Sequence, residues 1–295
     1  MKRSALLRYP VGGGPPAGSV PLSVVILTKN EEVNIERCLA SVAWADQIVV
    51  LDSGSTDDTV VLARAAGPEV VESHWRGFGA QREFALRMDL LRHDWLFFLD
   101  ADEWVSSDLA TEVAQAIRRT DHDAYWLYFR LIFQGVWIRH CGWYPSGHIV
   151  RLVRRSRVGF GPAGFSEQPL VTGTVGRLHN DIVDDDLKGL AAWLHKHVDY
   201  AQLEARRRHG EGVPVATRAA HDSLFRSFLK DHVAKRMPAR PLVQFLYMYV
   251  LRGGFLDGRA GLSFCLYHAW FQIAVSDFSR SIVSSRPPSH RDAAL

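Results

Sequence analysis

Between residues 22 and 118 the sequence repeats one pattern four times, a short predicted strand followed by a segment of helical periodicity. The predicted strands are the apolar runs at 22–27, 47–51 and 95–99 and the short segment EVVE at 69–72, and the helical segments cover 31–42, 58–66, 79–88 and 107–118. A strand that returns through a helix to a parallel neighbour is the usual βαβ unit. The alternation therefore predicts an α/β fold with a mostly parallel sheet and helices on both faces.

The pattern changes after residue 124. Residues 125–133 are apolar and aromatic with partial alternation, which predicts a strand and leaves an antiparallel orientation open. From residue 187 the sequence favours helices, over 187–209 and 219–237, and two apolar stretches close the chain at 241–251 and 262–275. We predict a disordered Gly- and Pro-rich lead-in over 1–20, an α/β domain over 21–180, and a helical C-terminal region over 181–295.

Composition and spacing argue against a disulfide-framed protein, a zinc-binding protein and a protein with a simple membrane-spanning helix. The 295 residues are 47% hydrophobic and 23% charged, as in ordinary globular proteins. Three scattered cysteines provide neither a disulfide framework nor a zinc spacing, which favours a reducing compartment, the cytoplasm. The apolar stretches fall short of the roughly 18–20 residues that a membrane-spanning helix needs.

An acidic cluster, Asp100-Ala101-Asp102-Glu103, directly follows the apolar run at 95–99. Ionised carboxylates are costly inside a core, but at the carboxyl end of a parallel strand they reach the edge where such sheets bind ligands. Two aspartates one residue apart can share a hard divalent cation, which in turn holds phosphate oxygens. The alternative is that these acids only stabilise the start of a helix capped by Ser106.

Similar polar clusters follow the first and second predicted strands, at residues 28–31 and 52–57. Each could cap a helix by itself, but three clusters at one sheet edge favour a ligand site. Residues 77–79 lack the third glycine of a dinucleotide fingerprint, and no phosphate-binding P-loop is present. The chemistry must then rest on carboxylates, amides and a metal ion.

The residues of these clusters carry a family resemblance. The segments SVVILTKNE at 23–31, VLDSGSTDDT at 50–59 and LDADE at 99–103 resemble the inverting family 2 glycosyltransferases. Within that family, WRGFGAQR at 75–82, HCGWYP at 140–145 and GGFLDG at 253–258 are similar to bacterial lipopolysaccharide-core β-1,4-glucosyltransferases. The resemblance extends over residues 22–278.

The resemblance implies a GT-A-like nucleotide-binding domain that transfers a sugar, with inversion, from a nucleoside diphosphate sugar. Thr28 and Asp52 would contact the base and ribose, and Arg82 the base or diphosphate. The positions implied for the nucleotide sugar are Thr28, Asn30, Glu31, Asp52, Arg82 and Asp100. The implied ligands of Mg²⁺ or Mn²⁺ are Asp102 and Asp100.

Direct displacement also requires a base for the acceptor hydroxyl. The candidate is Glu167, where relatives tend to have a His-Glu pair and this chain has Ser166 in place of the histidine. Glu103 is the second candidate. Trp143 and Tyr144 would stack on the acceptor sugar, with a role in the core as the alternative.

Between residues 205 and 240 there are nine Lys or Arg and three acids. The predicted helix at 219–237 is basic and amphipathic, which suits an anionic membrane surface; the alternative is a helix that packs on the catalytic domain. No basic motif interleaved with aromatic residues supports a nucleic-acid partner.

We therefore expect a cytoplasmic enzyme, peripheral on the inner membrane, that transfers a hexose from a nucleoside diphosphate sugar, with UDP-glucose the expected donor. The expected acceptor is a lipid-linked saccharide such as lipopolysaccharide core. Polyprenyl phosphate or another envelope glycan is the alternative acceptor. A degenerate sugar-nucleotide-binding protein is the non-enzyme alternative, which the intact acidic cluster disfavours. A sugar nucleotidyltransferase would need a Gly-rich, Arg-containing loop after the first strand, and residues 28–31 provide none.

Overall fold

A computed structural model describes residues 19–119, 121–145, 148–160, 169–209 and 240–284. Their contacts divide them into two units. The first runs to Trp137 and continues over Tyr144–Leu187, whereas the second takes Ile138–Trp143 and everything described from Lys188 onward. Each unit is described by itself.

Thirteen strands are found in the described part of the first unit. In chain order they are β1 (Val20–Thr28), β2 (Ala45–Asp52), β3 (Glu69–Glu72), β4 (Trp95–Asp100), β5 (Glu103–Trp104), β6 (Ala124–Leu127), β7 (Phe129–Phe133), β8 (Val136–Trp137), β9 (Ile149–Arg154), β10 (Val158–Gly159), β11 (Leu170–Val171), β12 (Val175–Arg177) and β13 (Ile182–Asp184). The helices of this unit are α1 (Ile35–Ser41), α2 (Thr59–Ala65), α3 (Phe78–Leu86) and α4 (Ser107–Ala116).

Seven strands form the main sheet, in the order β12-β6-β9-β4-β1-β2-β3. Strands β4, β1, β2 and β3 pair in parallel, as do β12 and β6, while β9 is antiparallel to both of its neighbours. The predicted α/β class with a mostly parallel sheet is confirmed.

The core explains why the strands read as continuous apolar runs. Phe97 and Leu99 of β4 pack with Val24 and Ile26 of β1 in one buried cluster. The alternate residues of the same two strands, among them Phe98, pack in a second cluster. Both faces of these strands are therefore covered, so neither face needs polar side chains.

The predicted strand at 125–133 is wrong as a single element, because it divides into β6 and β7 in two different sheets. β6 pairs with β9 and β12 in the main sheet, whereas β7 pairs with β13 and β8 in a four-stranded sheet of order β5-β13-β7-β8. The break falls at Tyr128, whose carbonyl accepts the N–H of Ile182. Partial alternation in the sequence reflects two strands with different buried faces.

The four predicted helices are present with shorter bounds. The largest difference is at the start of α1, where residues 32–34 form turns. Here the N–H of Glu31 donates to the Thr59 hydroxyl (2.7 Å) and the Asn34 amide donates to the Glu31 carboxylate (2.7 Å). These side-chain hydrogen bonds hold the loop outside the helix.

The second unit contains α5 (Gly189–Arg208), α6 (Arg240–Leu246) and α7 (Gly258–Ser284). A π-helical turn over Tyr247–Leu251 follows α6, and a 3₁₀ turn over Gly254–Asp257 precedes α7. The predicted helix at 219–237 lies outside the described residues. Within the described ranges, no helix combines the length and the apolar character needed to cross a bilayer.

Two segments that carry the family resemblance meet inside this unit. The Asp257 carboxylate accepts the backbone N–H of His140 (2.9 Å) and also pairs with its Nδ1 (2.7 Å). Cys141 and Cys265 are both buried, with their sulfurs 3.5 Å apart. The segment 138–143 is thereby anchored to the start of α7.

Helix α4 offers a test of local stability. The Ser106 hydroxyl accepts the N–H of Leu109 (3.2 Å), the cap expected from the sequence. Ser106→Ala should lower the free energy of unfolding by about 1 kcal/mol in urea denaturation, whereas Ser106→Asp should retain most of it because aspartate also caps. Equal losses in both variants would show that the hydroxyl does not act as a cap.

Candidate active site

The polar clusters after β1, β2 and β4 meet at one edge of the main sheet. In the parallel pairing of β1 with β2, Thr28 lies opposite Asp52, and in that of β1 with β4, Leu27 lies opposite Asp100. The backbone continues these pairings, since Ser53 N–H donates to the carbonyl of Thr28 (2.9 Å). Three segments separated in sequence thus place their side chains side by side.

Asp52 organises the loop that follows β2. Its carboxylate is buried, and Oδ2 accepts the N–H groups of Gly54 (2.8 Å) and Ser55 (2.9 Å). Gly54 has a φ of +85°, a left-handed conformation that glycine adopts without a steric cost. The loop therefore wraps around the carboxylate at the sheet edge.

Asn30 ties the first loop to this second one. Its own φ is +55°, its N–H donates to the Ser55 hydroxyl (2.8 Å), and its side-chain oxygen accepts the N–H of Thr56 (2.8 Å). Asn30 and Glu31 thus both serve to join the β1 and β2 loops. Asn30 remains exposed, while Glu31 is largely buried.

A buried network of charges surrounds the acidic cluster. Arg82 of α3 donates to Oδ1 of Asp100 (3.0 Å), and Arg151 of β9 donates to Oδ2 (2.8 Å). Arg151 also donates to Oε1 of Glu103 (2.7 Å). Both arginine side chains are only 1% exposed. Arg82, expected at the base or diphosphate, therefore contacts Asp100.

The position of Glu103 disfavours its proposed role as a base. The residue is buried, Oε1 accepts from Arg151, and Oε2 accepts the backbone N–H of Asp100 (2.8 Å). Burial raises the pKa of its carboxyl well above the usual range, against the lowering effect of Arg151, and the Asp100 and Asp102 charges add to the rise. The Glu103 side chain is only 5% exposed, against 29% for Asp100, so its carboxylate is poorly placed to receive a proton from an acceptor.

Asp102 lies between these two acids and is partly exposed. Its carbonyl oxygen accepts the N–H of Asp185 (3.1 Å), which fixes the main chain at this position. The described ranges contain no group of three or more His, Cys, Asp or Glu side chains that would enclose a metal. Mg²⁺ is commonly held by one or two carboxylates together with substrate phosphates and water, so Asp102 and Asp100 fit an ion that arrives with a diphosphate.

Thr28 provides an independent indication of a ligand. Its hydroxyl is buried at the sheet edge and has no hydrogen-bond partner among the described residues. A buried hydroxyl without a partner is unfavourable by roughly 1–3 kcal/mol. A bound polar group beside Asp52 would satisfy it.

Two residues of this edge were not predicted from the sequence. Arg151 is the one charged residue inside the otherwise apolar run at 149–153, a signal that was available. Gln81 is fully buried and donates to the Ser53 hydroxyl (2.9 Å), linking α3 to the β2 loop. Neither interaction can be read from spacing, because each joins segments distant in sequence.

The two predicted acceptor residues belong to different units. Trp143, 39% exposed, packs edge-on against Phe264 in the second unit, with ring centroids 5.3 Å apart. Tyr144 lies in the first unit, where its hydroxyl donates to Oδ2 of Asp181 (3.1 Å). The candidate base Glu167 and its neighbour Ser166 lie outside the described residues.

Comparison with known proteins supports the resemblance. Residues 23–165 match the model of Glycosyl transferase family 2. A glycosyltransferase of Rickettsia bellii is 39% identical over 108 residues, which cover 36% of this chain and 36% of that protein. The lipopolysaccharide core biosynthesis glycosyltransferase LpsC of Rhizobium meliloti is 33% identical over 112 residues, covering 36% of this chain and 41% of LpsC.

Solved structures give weaker likenesses. Glucosyl-3-phosphoglycerate synthase of Mycobacterium tuberculosis, in complex with Mn²⁺ and UDP-glucose, is 26% identical over 39% of this chain and 44% of its own, with a TM-score of 0.33. TarS 1–349 of S. aureus is 14% identical over 91% of this chain and 93% of its own, with a TM-score of 0.44.

The chain spans well under half the length of the two curated relatives. The family match covers β1 to β4 and continues beyond β9, and so includes all three polar clusters and Arg151. Residues 23–165 therefore belong to Glycosyl transferase family 2.

Proposed function

We propose that this protein is a metal-dependent inverting glycosyltransferase that moves a hexose, glucose in the first instance, from a nucleoside diphosphate sugar to a lipid-linked saccharide such as lipopolysaccharide core. The observation that carries this proposal is the meeting of Thr28, Asp52 and the Asp100–Asp102 pair at the carboxyl edge of a family 2 domain. Ligands of open α/β sheets bind at this edge.

The buried Thr28 hydroxyl and the Asp52 loop suit the nucleoside. The hydroxyl has no hydrogen-bond partner in the described ranges, so it can donate to a base or ribose oxygen. The adjoining loop exposes polar groups around a fixed carboxylate. These residues would orient the donor without taking part in bond breaking.

The carboxylates at this edge favour a cation beside the diphosphate. The Asp100 side chain is 29% exposed and Asp102 is partly exposed, so both carboxylates can be reached from solvent. Mg²⁺ or Mn²⁺ held by Asp102, with Asp100 as the neighbouring oxygen donor, would neutralise charge that develops on the leaving diphosphate. Arg82 and Arg151 hold Asp100 in place for that purpose.

Transfer with inversion is a direct displacement. The acceptor oxygen forms a bond to the anomeric carbon, the bond to the diphosphate oxygen breaks, and a base takes the hydroxyl proton. We retain Glu167 as the proposed base, since the other candidate, Glu103, is buried and paired with Arg151. Trp143 and Tyr144 remain proposed acceptor contacts.

The proposed acceptor and location rest on sequence features. The LpsC relative is named for lipopolysaccharide core biosynthesis, which supports a lipid-linked saccharide. The excess of nine basic over three acidic residues at 205–240 supports a peripheral position on the cytoplasmic face of the inner membrane.

The metal assignment can be tested with Asp102→Ala. We expect loss of at least about 100-fold in Mn²⁺-dependent release of UDP from UDP-glucose, since the ion's charge stabilisation is removed. Asp108→Ala is the matched control, because Asp108 is an exposed acid in the first turn of α4. Both rates are measured by coupled UDP detection with and without Mn²⁺. Full activity of the Asp102 variant would exclude the proposed metal ligand.

The buried network predicts a clear stability effect. Arg151→Met leaves the Asp100 and Glu103 carboxylates without their shared guanidinium and should lower the free energy of unfolding by about 3–5 kcal/mol. Adding Glu103→Gln to that variant should recover part of the loss, because one uncompensated buried charge is removed. Urea denaturation of both single variants and the double variant measures the coupling. Strict additivity of the two losses would show that Arg151 and Glu103 do not depend on each other.

A further inference from the structure

Asp181 is a buried carboxylate with one oxygen in use. It lies just before β13 in the first unit, and its side chain is 5% exposed. Oδ2 accepts the Tyr144 hydroxyl (3.1 Å) and is 3.5 Å from Nη2 of Arg130. Within the part of the chain that the structure describes, no hydrogen bond is made to Oδ1.

Asp181 can accept a further hydrogen bond through Oδ1. Burial raises the pKa of Asp181 above its usual value, although the Tyr144 hydroxyl and the Arg130 guanidinium both lower it. A hydroxyl from outside the protein would supply the missing hydrogen bond.

Aromatic rings surround this carboxylate. The Tyr144 ring lies edge-on to Trp137 and Tyr128, with centroids 5.2 and 6.0 Å away. The Arg130 guanidinium lies over Trp137 (4.5 Å). All four of these side chains are partly exposed, so apolar ring surface and polar groups are presented together. Such surfaces suit ligands that have both an apolar face and hydroxyl groups.

The second sheet connects Asp181 to the acidic cluster. In β13, Asp184 pairs with Glu103, and the next residue, Asp185, donates its N–H to the carbonyl of Asp102. At about 3.3 Å per residue, Asp181 is on the order of 10 Å along the chain from that pairing. Strand β13 therefore begins next to Asp181 and ends beside Glu103 and Asp102.

We propose that Asp181 is a binding residue for the acceptor, whose Oδ1 accepts a hydrogen bond from a saccharide hydroxyl while the sugar ring lies against the Tyr144, Trp137 and Tyr128 cluster. The inference rests on the proposed function and deepens it by assigning a saccharide subsite. A neutral polyol fits better than a phosphate, because a hydroxyl can donate to Oδ1 of Asp181, whereas an ionised phosphate has only acceptor oxygens to offer this carboxylate.

The test uses the full chain with UDP and Mn²⁺, and neutral methyl hexopyranosides as probes. Saturation-transfer NMR measures probe affinity, and a thermal shift with UDP and Mn²⁺ measures the donor site in the same samples. Asp181→Asn should weaken probe binding about tenfold, since a hydrogen bond to a charged group is lost, and leave the UDP shift unchanged. The matched control is Asp94→Asn, at the opposite end of β4, whose carboxylate accepts from Ser156.

Unchanged probe affinity in Asp181→Asn, or no probe binding by the unaltered protein, would overturn the subsite. If Asp181→Asn does not fold, Tyr144→Phe is the second variant, because it removes the hydroxyl that orients the Asp181 carboxylate. It should weaken probe binding about threefold. Unchanged probe affinity in Tyr144→Phe would also overturn the subsite. Absence of a UDP-induced thermal shift in the unaltered protein would instead contradict the proposed function. The comparison of probe affinities would then still test the Asp181 subsite by itself.

Discussion

The Asp100 carboxylate, held between the guanidiniums of Arg82 and Arg151, is the interaction on which the site depends. Burying an ion pair costs several kcal/mol per charge, which excellent geometry and further hydrogen bonds must offset. Here the second arginine and the bridge to Glu103 provide that offset. The network joins α3, β4, β5 and β9, so the edge of the sheet and its acidic loop are fixed together.

The order of strands in the main sheet makes this network possible. Parallel pairing of β4, β1 and β2 aligns three loops at one edge. Strand β9 enters antiparallel between β4 and β6 and carries Arg151 to the buried side of Asp100. In the second sheet Glu103 of β5 pairs with Asp184 of β13, the strand that begins directly after Asp181. The strands that hold the sheet together therefore also carry the candidate ligand-binding residues.

The sequence was sufficient to predict the α/β fold and the common edge of the polar clusters, because local signals carried both. Apolar runs marked buried strands, and the polar residues after them fell at the carboxyl ends. The Ser106 cap was equally local. Division of residues 125–133 between two sheets was not predictable in this way, since it depends on the distant partners β9 and β13.

Long-range contacts also changed the interpretation of individual residues. Glu103 looked like a spare base until Arg151, 48 residues later, was found on its carboxylate. Tyr144 was expected to stack on a sugar, but its link to Asp181 could not be read from spacing. Trp143, its immediate neighbour, packs in the other unit. Burial of charged side chains and pairing between distant segments are what the sequence left open.

The central claim is that the sheet edge binds a nucleoside diphosphate through a cation on Asp102. Anomalous diffraction from crystals grown with UDP and Mn²⁺ tests it most directly, because manganese can be located independently of the protein density. The account predicts one manganese peak in contact with the Asp102 carboxylate and the diphosphate, with the nucleoside beside Thr28 and Asp52. Manganese bound away from Asp102, or UDP bound elsewhere, would contradict it.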